Sequence, residues 1–164
     1  MATKTKTRDA IKVRGFFRLQ IVEDKDGGQR VVGDSGWKRN QITNLGFDQF
    51  LAQTLAGMAG SKTVSHVALG TGGAPAAGDT SLAGEIMSST QRKTVSPSTI
   101  ASKTAQFTAA FASSASFLTA SVNLSNIGLF NTSTAGTLFA GNTYTSSACN
   151  TNQSVNVTYQ IRFS

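Results

Sequence analysis

Between Thr104 and Ile161 the chain contains no aspartate, glutamate, lysine or arginine. That absence removes every carboxylate that could serve as a general acid or base from most of the second half. Cysteine occurs once, at Cys149, so no intrachain disulfide can form and the fold does not rely on an oxidising compartment. Histidine also occurs once, at His66. A His/Cys metal site would therefore find two ligands at most, too few for a closed site. No apolar run approaches the roughly 18 residues of a membrane span. Residues 1–10 contain no apolar core of the kind a secretory signal carries. These absences lead to the expectation of a protein folded in a cytosol, with no membrane partner, no metal and no cofactor.

A length of 164 residues suggests one domain, long enough to bury a substantial core. The formal net charge of +7 is unevenly spread. Lys4, Lys6, Arg8, Lys12, Arg14 and Arg18 face a single acid, Asp9, within the first eighteen residues. Residues 1–11 are read as an extended basic arm, disordered when alone. A neighbouring chain is the simplest clamp for such an arm, and these six cations are the candidate partner-binding residues. Nucleic acid is the alternative partner, because Arg14, Phe16 and Arg18 interleave basic and aromatic side chains on one strand face. With no positive charge over 104–161, any such footprint is confined to the N-terminal third. An acidic protein surface is the preferred partner.

Period-two patterning dominates the remainder, 12–164. Over 12–22, Val13, Gly15, Phe17, Leu19 and Ile21 alternate with Lys12, Arg14, Phe16, Arg18 and Gln20, as in a half-buried strand. A turn at 23–28 and a returning strand at 29–32 complete a hairpin. Further strands are predicted at 66–69, 91–95, 104–111, 117–124, 126–130 and 137–140, with Pro97 as a breaker. Residues 141–153 read as a long polar loop. The clearest alternation closes the chain: Val155, Val157, Tyr159, Ile161 and Phe163 against Asn156, Thr158, Gln160 and Arg162. One helix is predicted near 43–58, capped by Thr43 or Asn44, with Phe47, Phe50, Leu51, Leu55 and Met58 on one face. The predicted fold is mainly β: an antiparallel β-sandwich, jelly-roll-like, with one packed α-helix. Strands from both ends of the chain are needed to complete it.

The stretch 65–87 joins the charged front to the uncharged back. It reads as a strand, a loop marked by Gly70, Gly72, Gly73 and Pro75, and then one or two helical turns capped by Asp79 and carrying Leu82 and Ile86. Its glycines do not make a phosphate loop, because Ala74-Pro75 stands where a Lys-Ser/Thr pair is required. Asp79 and Glu85 could be posed as an acid/base pair, but Asp79 is better used as a cap and Glu85 in the first turns near the helix dipole. His66 among Val67, Ala68 and Leu69 reads as a structural histidine, and Cys149, with no sequence neighbour to lower its pKa, as a packing residue. No Ser-His-Asp set has spacing support. Trp37, Tyr144 and Tyr159 are candidate sugar-stacking residues, with burial in the core as the commoner use of aromatics. The expectation is a protein that is not an enzyme.

Two segments together carry a family resemblance. The first is Gly36-Trp-Lys-Arg-Asn-Gln-Ile-Thr-Asn-Leu-Gly46, followed by a helix and by Ala68-Leu-Gly-Thr-Gly72, Ala74-Pro75, Asp79-Thr80, Leu82 and Glu85-Ile86. The second is Ile127-Gly-Leu-Phe-Asn131, Gly136-Thr-Leu-Phe-Ala140 and the C-terminal alternating strand. In order and spacing they resemble a group of tailed-bacteriophage structural proteins. The chain differs from that pattern at Asn126-Ile127 and in lacking a lysine over 145–153. The resemblance implies a non-enzymatic virion component with a β-sandwich fold, used as capsid decoration or cement or in tail fibres and tail tips. It implies other virion proteins as partners, such as a major capsid protein, and assembly in a host cytoplasm. Capsid cement bridging capsid subunits is preferred to a tail-fibre or tail-adaptor module, and a homo-oligomer is expected from uncharged Ser/Thr-rich β surfaces that can pack on copies of themselves.

Overall fold

The computed structural model describes residues 11–25, 27–86 and 92–164. Of the proposed arm, 1–10 lie outside the described residues. Ten strands form one antiparallel sheet: β1 (Val13–Lys25), β2 (Gly28–Asp34), β3 (Lys38–Ile42), β4 (His66–Gly70), β5 (Lys93–Thr94), β6 (Ser96–Ala101), β7 (Thr104–Phe111), β8 (Val122–Phe130), β9 (Leu138–Cys149) and β10 (Ser154–Phe163). Their order is β5-β4-β8-β9-β3-β1-β10-β7-β6, with β2 pairing β1 off this path. The two strands that end the path, β5 and β6, are separated in the chain only by Val95. The sheet therefore curls until its first and last strands are covalent neighbours, and it is nearly closed.

The axis of this arrangement is the β1–β10 ladder, which runs from Val13↔Phe163 to Val22↔Ser154. Both strands were legible because each alternates strictly. Phe17, Leu19 and Ile21 of β1 are buried, as are Val155, Val157, Tyr159 and Ile161 of β10. On its other edge β1 is shared: β3 pairs with Gly15, Phe16 and Phe17, and β2 with 20–25. β3 then leaves β1 and pairs Gln41 and Ile42 with β9. It is the corner at which the sheet turns, so that Val67, Leu69, Leu124, Ile127, Leu129 and Phe139 of the far half share one core with β1 and β10.

A second, smaller cluster lies on the other face of the far half, where Ala68, Phe130 and Leu138 are covered by Leu82. This explains why β8 reads as a continuous apolar run over 126–130: both of its faces are buried. The cover is the 71–86 loop. Thr71 N–H and Gly72 N–H donate to the Gly84 and Ala83 carbonyls, and Glu85 bridges back to Gly70. These cross-loop bonds satisfy the backbone in place of i→i−4 bonds, so the helical turns predicted after Asp79 do not form. Asp79 instead accepts from Ala76 N–H at 2.9 Å. Asn126, fully buried, donates from Nδ2 to the Gly73 and Ala83 carbonyls at 3.0 and 2.8 Å.

The helix near 43–58 is present but different in kind. A π-helical segment, Gly46–Ala52, runs into a single α turn, α1 (Gln53–Leu55). Thr43 is its cap: its Oγ1 accepts from Gly46 N–H at 2.9 Å and donates to the Leu138 carbonyl at 2.7 Å. A Cβ at Gly46 would stand 2.3 Å from the Phe139 carbonyl oxygen, so glycine is required where the helix presses on β9. The wider π turn spoils a face calculated at 3.6 residues per turn. Phe50 is buried, with its ring 5.1 Å from Phe139, whereas Phe47, Leu55 and Met58 are 44, 92 and 55% exposed.

Other boundaries differ from expectation for physical reasons. The predicted polar loop at 141–153 is mostly strand: β9 continues to Cys149, paired with β8 up to Val122, and its outward residues are polar because that face is open. The strand predicted at 117–124 begins only at Val122, and the 126–130 strand is the second half of the same β8. Only Lys93 and Thr94 of the strand predicted at 91–95 are strand, and residue 91 lies outside the described residues. Pro97 does not break the chain but sits in β6, a terminal strand of the path, where a missing N–H costs no ladder bond on the open side. β3 carries no apolar alternation and was not predicted.

The register makes a test. Val157 is 2% exposed between Leu19 and Ala109. Val157→Asp should lower unfolding free energy by about 3 kcal/mol or more, because it places an unpaired charge in an apolar layer. Urea unfolding followed by circular dichroism measures this, and a fully stable variant would mean that the register is wrong.

Candidate functional site

The outer face of the β1–β10 ladder gathers the cations. On β1 the outward residues are Arg14, Phe16, Arg18 and Gln20, and their partners on β10 are Arg162, Gln160, Thr158 and Asn156. β3 adds Arg39 opposite Phe16. Arg14 and Arg162 are thus directly opposed like charges, with Arg39 one step away on the same face. The Arg162 guanidinium lies over the Phe16 ring, 4.5 Å from its centroid. Its Nη2 donates to Gln160 Oε1 at 2.7 Å, and Gln160 Nε2 donates to Gln106 Oε1 at 2.9 Å. This polar ladder explains why Gln160, expected to be exposed, is buried, and it holds the Arg162 head in place. A groove of about 200 Å³ runs beside this patch between β1 and β3, flanked by Arg14, Arg39 and Phe47.

Of the six cations picked out in the sequence, Lys4, Lys6 and Arg8 lie outside the described residues. Lys12 is exposed. Its backbone is fixed at the end of the ladder, its N–H donating to the Ser164 carbonyl at 2.6 Å and its carbonyl accepting from Ser164 N–H at 2.9 Å. The Lys12 backbone is thereby fixed next to Arg14 and Arg162. Arg18 is different: Asp34 binds it through Nε at 3.0 Å and Nη2 at 2.5 Å. Its charge is answered within the domain, so it is not part of the free basic patch. Arg39 and Arg162 were missed because they are distant in sequence from the arm. The signal for Arg162 was its place on the outward half of the closing alternation.

The other sequence candidates are used inside the fold. Ser65 Oγ donates to the Asn131 carbonyl at 2.7 Å and lies 2.7 Å from His66 Nδ1. With the hydroxyl proton committed to the carbonyl, Nδ1 is left to donate, which is the reverse of what a base activating a serine needs. Burial, and then the Arg92 charge, push the His66 pKa down. Glu85 is not a dipole partner but one half of a buried ion pair, with Arg92 Nε at 2.6 Å. Arg92 also stacks on Phe130, 3.4 Å from the ring centroid, and donates to the Thr132 and Ala135 carbonyls. That latch holds the loop before β9. Cys149 is fully buried, and burial pushes its thiol up to about 11. Tyr144 and Tyr159 are 7 and 0% exposed, so neither can stack on a sugar. Trp37 remains exposed. Among the described residues no group of three His, Cys, Asp or Glu side chains is placed to hold a metal, and no helix is long and apolar enough to cross a membrane.

A second feature lies inside the curl, where a cavity of about 420 Å³ opens between the helix, β7 and β10. Phe50, Phe107, Phe139, Ile161 and Phe163 form its walls, and Lys62 lies on its lining.

The Arg18–Asp34 pair predicts a pH dependence. Hydrogen bonding from Arg18 holds the Asp34 carboxyl down at about 2, against an ordinary 3.8. A depressed carboxylate stabilises the fold above its unfolded pKa, and that contribution is lost as pH falls through the folded one. Asp34→Asn should therefore lower the thermal midpoint at neutral pH. The gap from the parent should close between about pH 4 and pH 2, as measured by calorimetry across that range.

No family model matches the chain, and neither a curated protein nor a solved structure matches it.

Proposed function

We propose that the chain is a non-enzymatic structural protein of a tailed-bacteriophage particle, a capsid decoration or cement protein with a jelly-roll-like β-sandwich as its body. The observation that carries this reading is continuity of charge. Lys12, the residue after the proposed arm, adjoins Arg14, Arg162 and Arg39, three arginines with no carboxylate partner among the described residues. Like charges directly opposed across a ladder oppose pairing. An acidic surface on a neighbouring protein would relieve that repulsion, and an arm held beside it would strap the two together. The resemblance of the residue pattern to tailed-phage structural proteins suggests the kind of particle, and the uncharged strands of the second half suit lateral contact with further virion protein. A tail-fibre or tail-adaptor module would use the same body and differs in copy number.

Nucleic acid is the weaker partner. Stacking a base needs a free aromatic face, and the Phe16 ring is half-buried with Arg162 over it. Two sets of substitutions test the reading: Lys4, Lys6 and Arg8 to Gln, and Arg14, Arg39 and Arg162 to Gln. Both proteins should stay folded. Each should lose most of its co-sedimentation with particles that lack the native protein, and the difference from the parent should narrow as salt screens the parent's own charge contacts. Binding of the parent to duplex or single strands should be weak at physiological salt. Normal particle occupancy in both variants would defeat the proposal. So would tight nucleic-acid binding whose log-log salt slope flattens in the variants. Counting copies per particle separates cement, at hundreds, from a tail module, at a single ring's worth.

A further inference from the structure

The cavity at the open side of the curl is unusual in what lines it. Ala105 and Phe107 of β7 face Ile161 and Tyr159 of β10 in register, so they point into the core. Yet Ala105, Phe107 and Phe163 stay half-buried, while Val157, Tyr159 and Ile161 are at most 2% exposed. The apolar interior reaches the surface here because no side chain of the described residues fills it. Its volume of about 420 Å³ falls in the ~300–1,000 Å³ range of small-ligand sites, which favour the mouths of β-barrels and combine apolar walls with a few polar groups.

Those polar groups are few. Thr54 and Thr63 are exposed at the mouth, and Lys62 is the one charged residue on the lining. Lys62 is fixed by its backbone N–H, which donates to the Gln49 carbonyl at 2.9 Å. Its Nζ donates to Thr137 Oγ1 at 2.5 Å, which leaves two ammonium N–H groups to give. Among the described residues no carboxylate pairs with it. An apolar slot whose lining carries a single lysine matches an apolar tail that ends in a single negative charge.

We propose that this cavity binds a single-chain amphiphile with an anionic head, and specifically a free long-chain monocarboxylate, its tail against Phe50, Phe107, Phe139 and Ile161 and its head at Lys62. The site is separate from the basic outer face, and the proposal holds or fails independently of the virion reading. Dodecanoate below its micellar concentration and dodecanol below its solubility limit are the probes. Dodecanoate should raise the thermal midpoint of the full chain saturably, as expected for a ligand that binds only the folded state, and should bind more tightly than dodecanol. Lys62→Met should weaken dodecanoate about tenfold, the loss of one charge-assisted contact, and leave dodecanol unchanged. Ala105→Trp should abolish binding of both by filling the slot. If that variant does not fold, methyl NMR of the parent replaces it, with Leu51, Val64 and Ile161 expected to shift together on titration. The proposal is overturned by an absence of saturable stabilisation, the result for a cavity reserved for a neighbouring chain's side chain. It is equally overturned by a response that survives in a folded Ala105→Trp protein, or by methyl shifts elsewhere than the cavity.

Discussion

Everything in this fold depends on the ladder between its first and last strands. β1 and β10 align ten consecutive residue pairs, from Val13↔Phe163 to Val22↔Ser154, and together they supply Phe17, Leu19, Ile21, Val155, Val157, Tyr159 and Ile161 to the core. Each of those side chains is buried by a partner nearly the whole chain away. Neither strand has a buried face without the other, so the hydrophobic gain arrives only with a long-range closure. β7 extends the ladder beyond β10 and β3 carries it round the corner to β9.

Curling solves the edge problem that such a sheet would otherwise have. An open ten-stranded sheet would end in two rows of unpaired backbone groups, a template for association. Here the two terminal strands are short or contain proline, and Val95 joins them. Val95 is itself 5% exposed, its N–H donating to the Ser65 carbonyl at 2.9 Å. The seam is not fully zipped, since β5 and β6 do not pair with each other. Opposite, the 71–86 loop lies over the second cluster and is tied down by Asn126. A Cβ on Gly70 would lie 2.3 Å from Asn126 Oδ1, so the glycine and the buried asparagine are one fitted unit.

Charge is segregated by the same topology. The stretch without aspartate, glutamate, lysine or arginine, 104–161, includes β7, β8, β9 and nearly all of β10, while β1 and β3 bring arginines to one end of the outer face. Inside the fold Arg92 is answered by Glu85 in the loop latch, and on the surface Arg18 is answered by Asp34 beside the hairpin. Among the described residues, Arg14, Arg39 and Arg162 have no such partner. That contrast within one molecule, more than the net charge, is what supports a partner surface there.

Strands with one buried face were readable from residue order alone, because alternation is a local property of the pleat. β1, β7 and β10 were visible in this way; β4 was visible as a short apolar run, and a helix start at Thr43 or Asn44 and the mainly-β class were legible too. What escaped were elements whose character is set by neighbours. β3 is polar because it is a corner, and the second half of β9 looks like a loop because one face is open. The 79–86 segment has helical spacing but satisfies its backbone across the loop. The helix shows its apolar residues at 3.6-residue steps, yet winds as a π-helix that buries Phe50 and leaves Leu55 in solvent. The site divided likewise. Arg14 and Lys12 could be picked from the charge run, but pairing them with Arg162 and Arg39, and removing Arg18 from the set, required the register. The cavity walls come from 50, 107, 139, 161 and 163. Residue order determined which side chains were available for a core and which way each regular strand would face. Tertiary structure alone decided which apolar side chains were left without a neighbour and which cations were left without an acid, because an unmet contact belongs to pairs of distant residues and has no signature in either one.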